Sequence, residues 1–324
     1  MPEKIVRAHT NIALIKYWGK RDEALILPAS SSLSLTLDAF YTDTSVTLDT
    51  AFQKDTFYLN TILQNEKATN KVSRFLDLFR ESAGITSPAL IKSTNFVPTA
   101  AGLASSASGM AALAGAANLA CNLQLTQREL SLFARRGSGS ATRSIYGGFV
   151  EWQMGTSSED SYAVSIDDAN WDIGMLVIVV NSRKKEMSSR EGMKNTVESS
   201  PFYLGWLEST AKDLIDIKKA IHLRDFQKMG EITESNGMKM HGTMLGANPP
   251  LSYWEPDSVV AMQVVRQLRQ EGIRCYFTMD AGPNVKVLCR LTDSEKIKAR
   301  FAERFKSEQL ILARPGEGLK ILSN

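Results

Sequence analysis

Five short stretches of the chain concentrate residue types that bind anions or handle protons. The first, residues 95–108, reads NFVPTAAGLASSAS and runs into an Ala-rich segment of strong helix propensity. A Gly-rich loop that opens into a helix presents unpaired backbone N–H groups and the positive end of the helix dipole, so it suits phosphate. Ser105, Ser106 and Ser108 add hydroxyls that can reach phosphate oxygens or magnesium. A tightly packed helix start explains the same pattern, and neither GxxxxGK[ST] nor GxGxxG is present.

The other four stretches place cations and one carboxylate in turns or at strand ends. Lys16 and Lys20 flank an aromatic pair in LIKYWGK, and Arg143 lies near the end of SGSATRS. Four cations cluster in residues 182–192, beyond an apolar segment, and Asp280 enters a Gly-Pro turn in FTMDAGPN. Arginine and lysine match carboxylates and phosphates, and the aspartate can meet a substrate hydroxyl. Solvated cations, a charged surface loop and a turn-forming aspartate are the plainer explanations.

The composition is that of a globular protein with mixed surface charge. Of 324 residues, 43% are hydrophobic and 23% charged, and the net charge of +3 is mild. The absence of long basic runs argues against a protein that coats nucleic acid. Three well-separated cysteines and three scattered histidines predict neither a disulfide nor a metal site. Without a secretory signal or an apolar segment long enough to span a bilayer, we expect a cytoplasmic protein with no membrane partner.

Hydrophobic periodicity predicts a strand-rich first half. Alternation predicts a strand that begins to turn near Gly19 and two antiparallel strands within residues 31–52, and helical spacing predicts a helix over 67–83. A capping box from Thr126 to Glu129 predicts a short helix ending near Gly137. A flexible turn at 137–140 and strands at 149–154 and 174–181 are predicted to follow.

The second half is predicted to be helix-rich. Between residues 201 and 240, helical spacing places Leu204, Leu207, Ala211, Leu214, Ile215, Lys218 and Ile221 on one face. Further elements are predicted as a helix capped by Asp257 and running to Gly272, strands over 273–280 and 284–290, a helix over 294–305 and a strand over 309–313. The change in composition near residue 182 predicts domains over residues 1–182 and 183–324.

Together these stretches resemble the GHMP kinase superfamily and, within it, the diphosphomevalonate decarboxylase family. The run PTAAGLASSAS is similar to the superfamily's phosphate loop, P-x-x-x-G-L-G-S-S-A, but has Ala104 where the sugar and mevalonate kinases have a second glycine. The decarboxylase family is further matched, in the same order, by NIALIKYWGKRD, GSGSATRSIYGGFVEW and YFTMDAGPNVKVL. The resemblance runs from about residue 5 to 290, and the size resembles the bacterial type.

The resemblance implies an ATP- and magnesium-dependent reaction. Members convert mevalonate 5-diphosphate into isopentenyl diphosphate, ADP, phosphate and carbon dioxide. Phosphorylation turns the tertiary C3 hydroxyl into a leaving group, and the nearby carboxylate then collapses to carbon dioxide and an alkene. One alternative is a GHMP kinase, of the mevalonate or phosphomevalonate kinase type, that stops after phosphorylation. The second is a non-catalytic, nucleotide-binding regulatory protein of the same fold.

The resemblance also implies roles for individual residues. Asp280 corresponds to the catalytic aspartate that orients or deprotonates the C3 hydroxyl, and Arg143 to the arginine that binds the substrate carboxylate. Ser189 corresponds to a serine that positions substrate and phosphoryl groups, Lys185 to a lysine beside the transferring phosphate, and Lys16 to a lysine near the aspartate. The other implied substrate-binding residues are Tyr17, Lys20, Ser138, Ser140 and Arg190.

The resemblance implies an ATP site and a fold as well. Ser93 and Asn95 are implied to meet the nucleoside, and Ser105 or Ser106 to reach magnesium. The backbone implied to hold the phosphates is that of Ala100, Ala101, Gly102, Leu103, Ala104, Ser105 and Ser106. The implied fold is α+β, with an N-terminal domain like ribosomal S5 domain 2, a ferredoxin-like C-terminal domain and the active site in the cleft between them. The family is commonly homodimeric.

Overall fold

The structure, a computed structural model, has a mixed α+β architecture and describes residues 4–96, 105–181 and 187–322. Its strands are β1 Ile5–Ile15, β2 Lys20–Asp22, β3 Leu27–Pro28, β4 Ser32–Leu48, β5 Thr56–Leu59, β6 Ile62–Leu63, β7 Ala89–Asn95, β8 Phe149–Trp152, β9 Ala163–Asp167, β10 Gly174–Ile178, β11 Cys275–Thr278, β12 Val285–Cys289, β13 Leu310–Ala313 and β14 Lys320–Leu322. Its α-helices are α1 Glu66–Ala83, α2 Ser105–Ala120, α3 Gln127–Gly137, α4 Ser189–Ser199, α5 Tyr203–His222, α6 Phe226–Leu245, α7 Pro256–Gln270 and α8 Ser294–Ala302. Short 3-10 helices span Gly139–Ile145, Leu291–Asp293 and Ser307–Gln309.

The first sheet is built around the long antiparallel pair of β1 and β4. Its order is β14-β1-β4-β7-β5-β6, and β8 and β9 extend it from β4. The prediction of two strands within residues 31–52 is wrong, because β4 is one strand. Its register against β1 shifts between the pairs His9–Tyr41 and Thr10–Leu37, which leaves residues 38–40 as a bulge. The bulge bends the strand, so its first half pairs with β8 and its second half with β7.

Helices α1, α2 and α3 cover one face of this sheet. The predicted helix over 67–83 and the predicted capping box at Thr126 are both confirmed by α1 and α3. Helix α2 is apolar and small on most of its surface, and Ala111, Ala112 and Ala114 are fully buried. A Cβ atom on Gly115 would lie 2.8 Å from the Val6 side chain, so small residues are what allow α2 to lie directly on the strands.

The second sheet has the antiparallel order β11-β12-β10-β13. It confirms the strands predicted over 273–280 and 284–290, which form a hairpin with Cys275 opposite Cys289. Helices α7 and α8 pack on one face of this sheet. The antiparallel helices α5 and α6 contribute to a core that joins the two sheets, with Ile12 and Leu33 from the first sheet and Met175 and Leu288 from the second.

Three local predictions are wrong. The buried face of α5 is offset from the predicted one: Leu204 is 72% exposed and Ile215 is 54% exposed, whereas Tyr203 and Trp206 are buried together with the correctly predicted Leu214 and Ile221. The aromatic pair has more apolar surface to remove from water, and it sets the rotation of the helix. The predicted flexible turn at 137–140 instead ends α3 and opens the 3-10 helix. Helix α7 is capped by Glu255, which forms a capping box with Ser258, and not by Asp257.

The end of the chain returns to the first sheet. The pattern did not predict β14, which pairs antiparallel with β1 through Ile5 and Leu322. Its three residues are too few to show a period. Cys121, Cys275 and Cys289 are free and buried. Within the described residues, no helix is long and apolar enough to cross a membrane.

Candidate active site

A cavity of about 720 Å³ lies where the two sheets approach each other. It receives the end of β1, the first turns of α2, the 3-10 helix after α3, the start of α4 and the turn between β11 and β12. Apart from Ser108, it is lined by every predicted site residue whose side chain the structure describes, namely Lys16, Tyr17, Lys20, Ser93, Asn95, Ser106, Ser138, Ser140, Arg143, Ser189, Arg190 and Asp280. The chain positions these residues from far apart in sequence around one space.

Some predicted residues cannot be placed in the cavity. Lys185 and the loop residues Ala100, Ala101, Gly102, Leu103 and Ala104 lie outside the described residues. Ser105 is the first residue of α2, but its side chain also lies outside the described part. The predictions for these residues therefore remain predictions.

Asp280 is held between two lysines. Its Oδ1 accepts a hydrogen bond from Lys16 Nζ at 2.8 Å, and its Oδ2 lies 3.3 Å from Lys286 Nζ. Both lysines are almost completely buried, whereas the side chain of Asp280 is 33% exposed toward the cavity. The carboxylate is thus the part of this cluster that a ligand can reach.

Two opposed effects act on the pKa of Asp280. Burial raises it, but Lys16 and Lys286 together lower it more, so the pKa lies well below the usual range. Burial lowers the pKa of Lys16, and the ion pair with Asp280 opposes that change. At neutral pH we take Asp280 as a carboxylate and Lys16 as its ammonium partner.

Lys286 was missed by the sequence analysis. It lies within the apolar strand β12, opposite Thr278 of β11, and its side chain is fully buried. Its Nζ also donates to the backbone oxygen of Asn284 at 3.1 Å. The signal was a single lysine in the run VKVLC, because a lysine inside a buried strand needs a partner.

The turn that carries Asp280 is held by a hydrogen bond within it and by two at its C-terminal end. Gly282 N donates to the backbone oxygen of Asp280 at 2.8 Å, which closes the turn. The side chain of Asn284 accepts from the backbone N–H of Val180, and Ser258 Oγ donates to the backbone oxygen of Pro283. These bonds tie the turn to the segment after β10 and to α7, so the carboxylate is presented from a rigid support.

A buried polar network also fixes Lys16. Its backbone N–H donates to Asn236 Oδ1 at 2.9 Å, and its Nζ donates to the backbone oxygen of Ala13 at 2.8 Å. Asn236 in turn donates to Asp213, which also pairs with Lys239 at 2.7 Å. The end of β1 is therefore bonded to α6, and through Asn236 to α5.

Arg143 lies buried on the 3-10 helix beside this cluster. It donates through Nη1 to Ser32 Oγ and through Nε to Asn11 Oδ1 at 3.3 Å. Among the described residues no carboxylate forms an ion pair with it. Burial lowers its pKa to about 10, and the nearby charge of Asp280 opposes that change. A protonated guanidinium without a carboxylate partner can bind an anionic group of a ligand.

Small residues bring the 3-10 helix close to an aromatic pair. Tyr17 and Trp152 meet edge to face with ring centroids 4.8 Å apart. A Cβ atom on Gly139 would lie 2.8 Å from Trp152 and 2.9 Å from Tyr17, so only glycine fits at this position. Burial raises the pKa of Tyr17, which keeps its hydroxyl neutral and able to donate a hydrogen bond.

The hydroxyls near the start of α2 divide into two groups. Ser106 is exposed. The Oγ atom of Ser138 lies 3.5 Å from the Oγ atom of Ser106 and 3.2 Å from the Oγ atom of Ser140. Ser108 is buried and bonds to Thr10 and Thr42, so the prediction that it reaches a phosphate is wrong. The two serines differ in exposure because side chains two positions apart lie on different faces of a helix.

The outer part of the cavity is more apolar. Phe57, Leu59, Val72 and Met110 line it beside Ser93 and Asn95. Ser93 Oγ bonds to Thr44 at 2.8 Å, and Asn95 Oδ1 accepts from Thr42 at 2.6 Å. A flat, partly polar group fits such a combination of apolar walls and amide or hydroxyl edges.

The start of α4 brings two further predicted residues to the cavity. Ser189 is its first residue, directly after the N-cap Ser188, and Arg190 follows with an exposed side chain. Lys20, across the cavity mouth, pairs with the exposed Glu23. His241 lies behind the site, where burial and the charge of Lys16 lower its pKa to about 3 and keep it neutral.

Family models cover most of the chain. A model described as the diphosphomevalonate decarboxylase-like N-terminal domain matches residues 8–163, and the mevalonate 5-diphosphate decarboxylase C-terminal domain matches residues 175–316. The chain belongs to the diphosphomevalonate decarboxylase family. Curated members include the enzyme of Candida albicans, 36% identical over 317 residues, which span 93% of this chain and 88% of that one. The Saccharomyces cerevisiae enzyme is 39% identical, over 90% of this chain and 78% of its own.

Solved structures of bacterial family members have the same fold. The mevalonate diphosphate decarboxylase of Enterococcus faecalis is 56% identical, with a TM-score of 0.94 over 99% of each chain. The Staphylococcus aureus enzyme is 47% identical, with a TM-score of 0.96 over 99% of this chain and 98% of that one. Another structure, 56% identical with a TM-score of 0.94 over 99% of each chain, is described as a complex with MVAPP, AMPPCP and magnesium.

Proposed function

We propose that this protein catalyses the ATP-dependent decarboxylation of mevalonate 5-diphosphate to isopentenyl diphosphate, ADP, phosphate and carbon dioxide. Membership of the decarboxylase family supports the reaction. The observation that carries the assignment is the pairing, in one cavity, of a reachable carboxylate on Asp280 with a buried guanidinium on Arg143 that lacks a carboxylate partner among the described residues. The first suits a hydroxyl and the second a carboxylate, which are the two groups of the substrate that react.

Asp280 would orient the C3 hydroxyl for phosphorylation. Its depressed pKa keeps it ionised at neutral pH, so it can accept the hydroxyl proton in a hydrogen bond. The same depression makes it a weak base. Phosphoryl transfer passes through a loose transition state that needs little activation of the nucleophile, so orientation suits the chemistry better than early removal of the proton.

Arg143 would hold the substrate carboxylate until the C3 phosphate departs. Its side chain is fixed by Ser32 and Asn11, so the guanidinium plane is set before substrate binds. When phosphate leaves C3, the electrons of the bond to the carboxyl carbon form the alkene, and carbon dioxide is released. The cation binds the carboxylate and not the neutral product, so its attraction ends with the reaction.

The remaining cavity residues would hold the diphosphate and ATP. Tyr17, Lys20 and Arg190, with the hydroxyls of Ser138 and Ser140, are assigned to the substrate diphosphate. Ser93 and Asn95, beside the apolar outer walls, are assigned to the nucleoside, and Ser189 to positioning substrate and phosphoryl groups. Lys185 is assigned to the transferring phosphate. The ATP phosphates are assigned to the backbone of Ala100, Ala101, Gly102, Leu103, Ala104, Ser105 and Ser106.

The donor set near the start of α2 suits magnesium bound mainly through phosphates. Within the described residues, no group of three or more His, Cys, Asp or Glu side chains can hold a metal ion. Mg²⁺ often takes only one or two protein oxygens and fills its shell with phosphate oxygens and water. The exposed hydroxyl of Ser106 offers such an oxygen, and we assign Ser105 or Ser106 to it. Bound there, the ion would neutralise charge on the transferring phosphate.

We also propose the finer organisation that the family suggests. The chain would divide near residue 182 into a domain like ribosomal S5 domain 2 and a ferredoxin-like domain, with the active site in the cleft between them. The predicted ranges 1–182 and 183–324 need two adjustments, because β10 pairs within the second sheet and β14 within the first. The wall of the cavity supports this division, since Arg143 and Asp280 come from opposite sides of the boundary.

We further propose a homodimer, which sedimentation at micromolar protein would test, and a cytoplasmic location, which fractionation of the source cells would test.

The products distinguish decarboxylation from simple phosphorylation. With mevalonate 5-diphosphate, ATP and magnesium, we expect one carbon dioxide and one phosphate for each ADP. ADP without carbon dioxide would contradict the decarboxylase assignment and support a kinase that stops after phosphorylation. Nucleotide binding without ADP formation would support a non-catalytic regulatory protein.

A further inference from the structure

A second cavity, of about 740 Å³, lies beside the first on its outer side. Ile26, Lys71, Met110, Gly137 and Arg190 line both cavities, so the two spaces meet along that boundary. Beyond the boundary, the second cavity is formed by the outer face of α1 and the end of α3. Five of its thirteen lining residues are lysine or arginine, a larger share than in the first cavity, where five of thirty-one are.

The cations come from three helices. Lys67, Lys71 and Arg74 are spaced by four and three residues on α1, so they share one face of the helix. Arg136 comes from the last turn of α3, and Arg190 from the first turn of α4. Only one acidic residue of the described chain, Glu66, lines the same space.

None of these five cations forms an ion pair with a described residue. Another arginine of the same helix shows the contrast, because Arg80 donates to both Asp55 and Asp77. Like charges at such spacing on one helix repel each other and destabilise it. Their convergence in a cavity therefore costs free energy in the ligand-free protein, and an anion with several charges would offset that cost.

The shape of the lining points to the class of anion. Phe75, Leu78 and Met110 form an apolar part of the wall beside the cations. Two adjacent phosphoryl groups can meet the ammonium and guanidinium groups together, and the apolar wall leaves room for a short carbon chain. A single phosphate would engage fewer of the cations than the cavity offers.

We propose that this second cavity is a binding site for the diphosphate group of a small molecule, distinct from the reaction cavity. Lys67, Arg74 and Arg136 line the second cavity and not the first, so these three cations remain available when the first is occupied. Lys71 and Arg190, at the boundary, serve both spaces. The site binds through charge at an exposed surface, so its affinity falls as ionic strength rises.

Calorimetric titration with inorganic pyrophosphate tests the site. The full-length protein is first saturated with mevalonate 5-diphosphate and AMPPCP, so that the reaction cavity is filled. We expect one further equivalent of pyrophosphate to bind, with an affinity about 10-fold lower in Lys67→Gln/Arg74→Gln. A matched variant, Lys296→Gln/Arg304→Gln, loses the same charges from exposed positions in and after α8 and should bind as the wild type does.

Two results would overturn the proposal: no binding to the saturated protein, or equal affinity in the Lys67→Gln/Arg74→Gln variant. A parallel titration with isopentenyl diphosphate identifies the source of the ligand. Tighter binding than pyrophosphate indicates an alkyl diphosphate, and equal binding indicates the head group alone. If the protein does not bind mevalonate 5-diphosphate at all, the proposed reaction fails, and the pyrophosphate titration of the ligand-free protein still tests the second cavity.

Discussion

At the scale of single residues, the two lysines beside Asp280 affect its ionisation more strongly than the partner in an ordinary surface ion pair would. Both are buried, so their charges act on the carboxylate through a medium of low polarity and lower its pKa despite its own burial. A carboxylate kept ionised in this way cannot serve as an acid near neutral pH. It is suited to accepting a hydrogen bond and to keeping a hydroxyl in line with a phosphoryl group.

Replacing the carboxylate by an amide tests that role. Asp280→Asn should lower kcat by about three orders of magnitude or more, because positioning and proton acceptance are lost together. The dissociation constant of mevalonate 5-diphosphate, measured calorimetrically, should change little. Asp257→Asn, an exposed change in the first turn of α7, should keep wild-type kcat. Near-normal turnover in Asp280→Asn would refute the assignment.

Removing one of the two cations should shift the pH dependence of the reaction. In Lys286→Met the pKa of Asp280 rises, because Lys286 lowers it in the wild type. Asp280 is required as a carboxylate, so activity should begin to fall at a higher pH on acidification. The measurement is kcat/KM against pH for both proteins, in which ionisation of the substrate is common to the two profiles.

A second lysine variant is the control, because it measures how the loss of a partly buried ion pair outside the cavity affects the pH profile. Lys218→Met breaks the pair with Glu151, which lies outside the cavity, and should leave the acid limb of the profile in place. An unmoved acid limb in Lys286→Met would show that Lys286 does not set the ionisation of Asp280.

At the scale of elements, the corner after β1 decides where Tyr17 and Lys20 are presented. Gly19 adopts a φ of 113°, which side chains other than hydrogen rarely allow. Tyr203 of α5 donates its hydroxyl to the backbone oxygen of Trp18 at 3.0 Å and fills the space beside the glycine. The corner thus joins the cavity to the helix pair by one close contact.

Adding a methyl group at this corner should disrupt it. In Gly19→Ala the new Cβ would lie 1.7 Å from Tyr203 Oη, so the ring must move and the backbone remains strained. We expect a loss of about 2–4 kcal/mol in the free energy of unfolding and a raised KM for mevalonate 5-diphosphate. Denaturant unfolding and steady-state kinetics measure the two effects.

Gly84→Ala serves as a control, because it introduces backbone strain without a steric clash. Gly84 also has a positive φ, of 66°, but nothing lies within 4 Å of the added Cβ. The substitution should lower the free energy of unfolding by about 1 kcal/mol and leave KM unchanged. Equal losses in the two variants would mean that the contact with Tyr203 has no structural role.

At the scale of the whole molecule, the first sheet depends on the last residues of the chain. After β13, the backbone crosses back along β4 with bonds from Asp38 N to Arg314 O and from Gly316 N to Thr36 O. It then bonds to the 3-10 helix region through Leu319 N and Ile145 O before β14 pairs with β1. The segment that holds Arg143 is therefore supported by residues far beyond it in sequence.

Graded truncation measures this support. A chain that ends at Leu319 loses β14 alone, whereas one that ends at Ala313 also loses the bonds to β4 and to Ile145. We expect the chain that ends at Ala313 to lose several kcal/mol in the free energy of unfolding, on the order of 10 °C in Tm, and the chain that ends at Leu319 to lose less. Hydrogen exchange should become faster at β1 in both. Unchanged protection of β1 would show that the returning segment contributes nothing to that sheet.

The sequence by itself determined the local features of this protein. Helical spacing around Phe75 and Phe79, the capping box at Thr126 and the hairpin around Asp280 all depend on residues a few positions apart, and the structure has each of them. Family membership was also available from four short motifs. Twelve of the residues that line the cavity were named from that resemblance.

The tertiary structure alone decided the features that depend on distant contacts. Lys16 and Asp280 are 264 positions apart, so neither segment by itself indicates the other as its partner. The rotation of α5 depends on what its aromatic residues meet, and β14 is too short to be recognised before β1 is beside it. Periodicity and capping act over one or two turns, whereas burial and charge pairing depend on which surfaces the folded chain brings together.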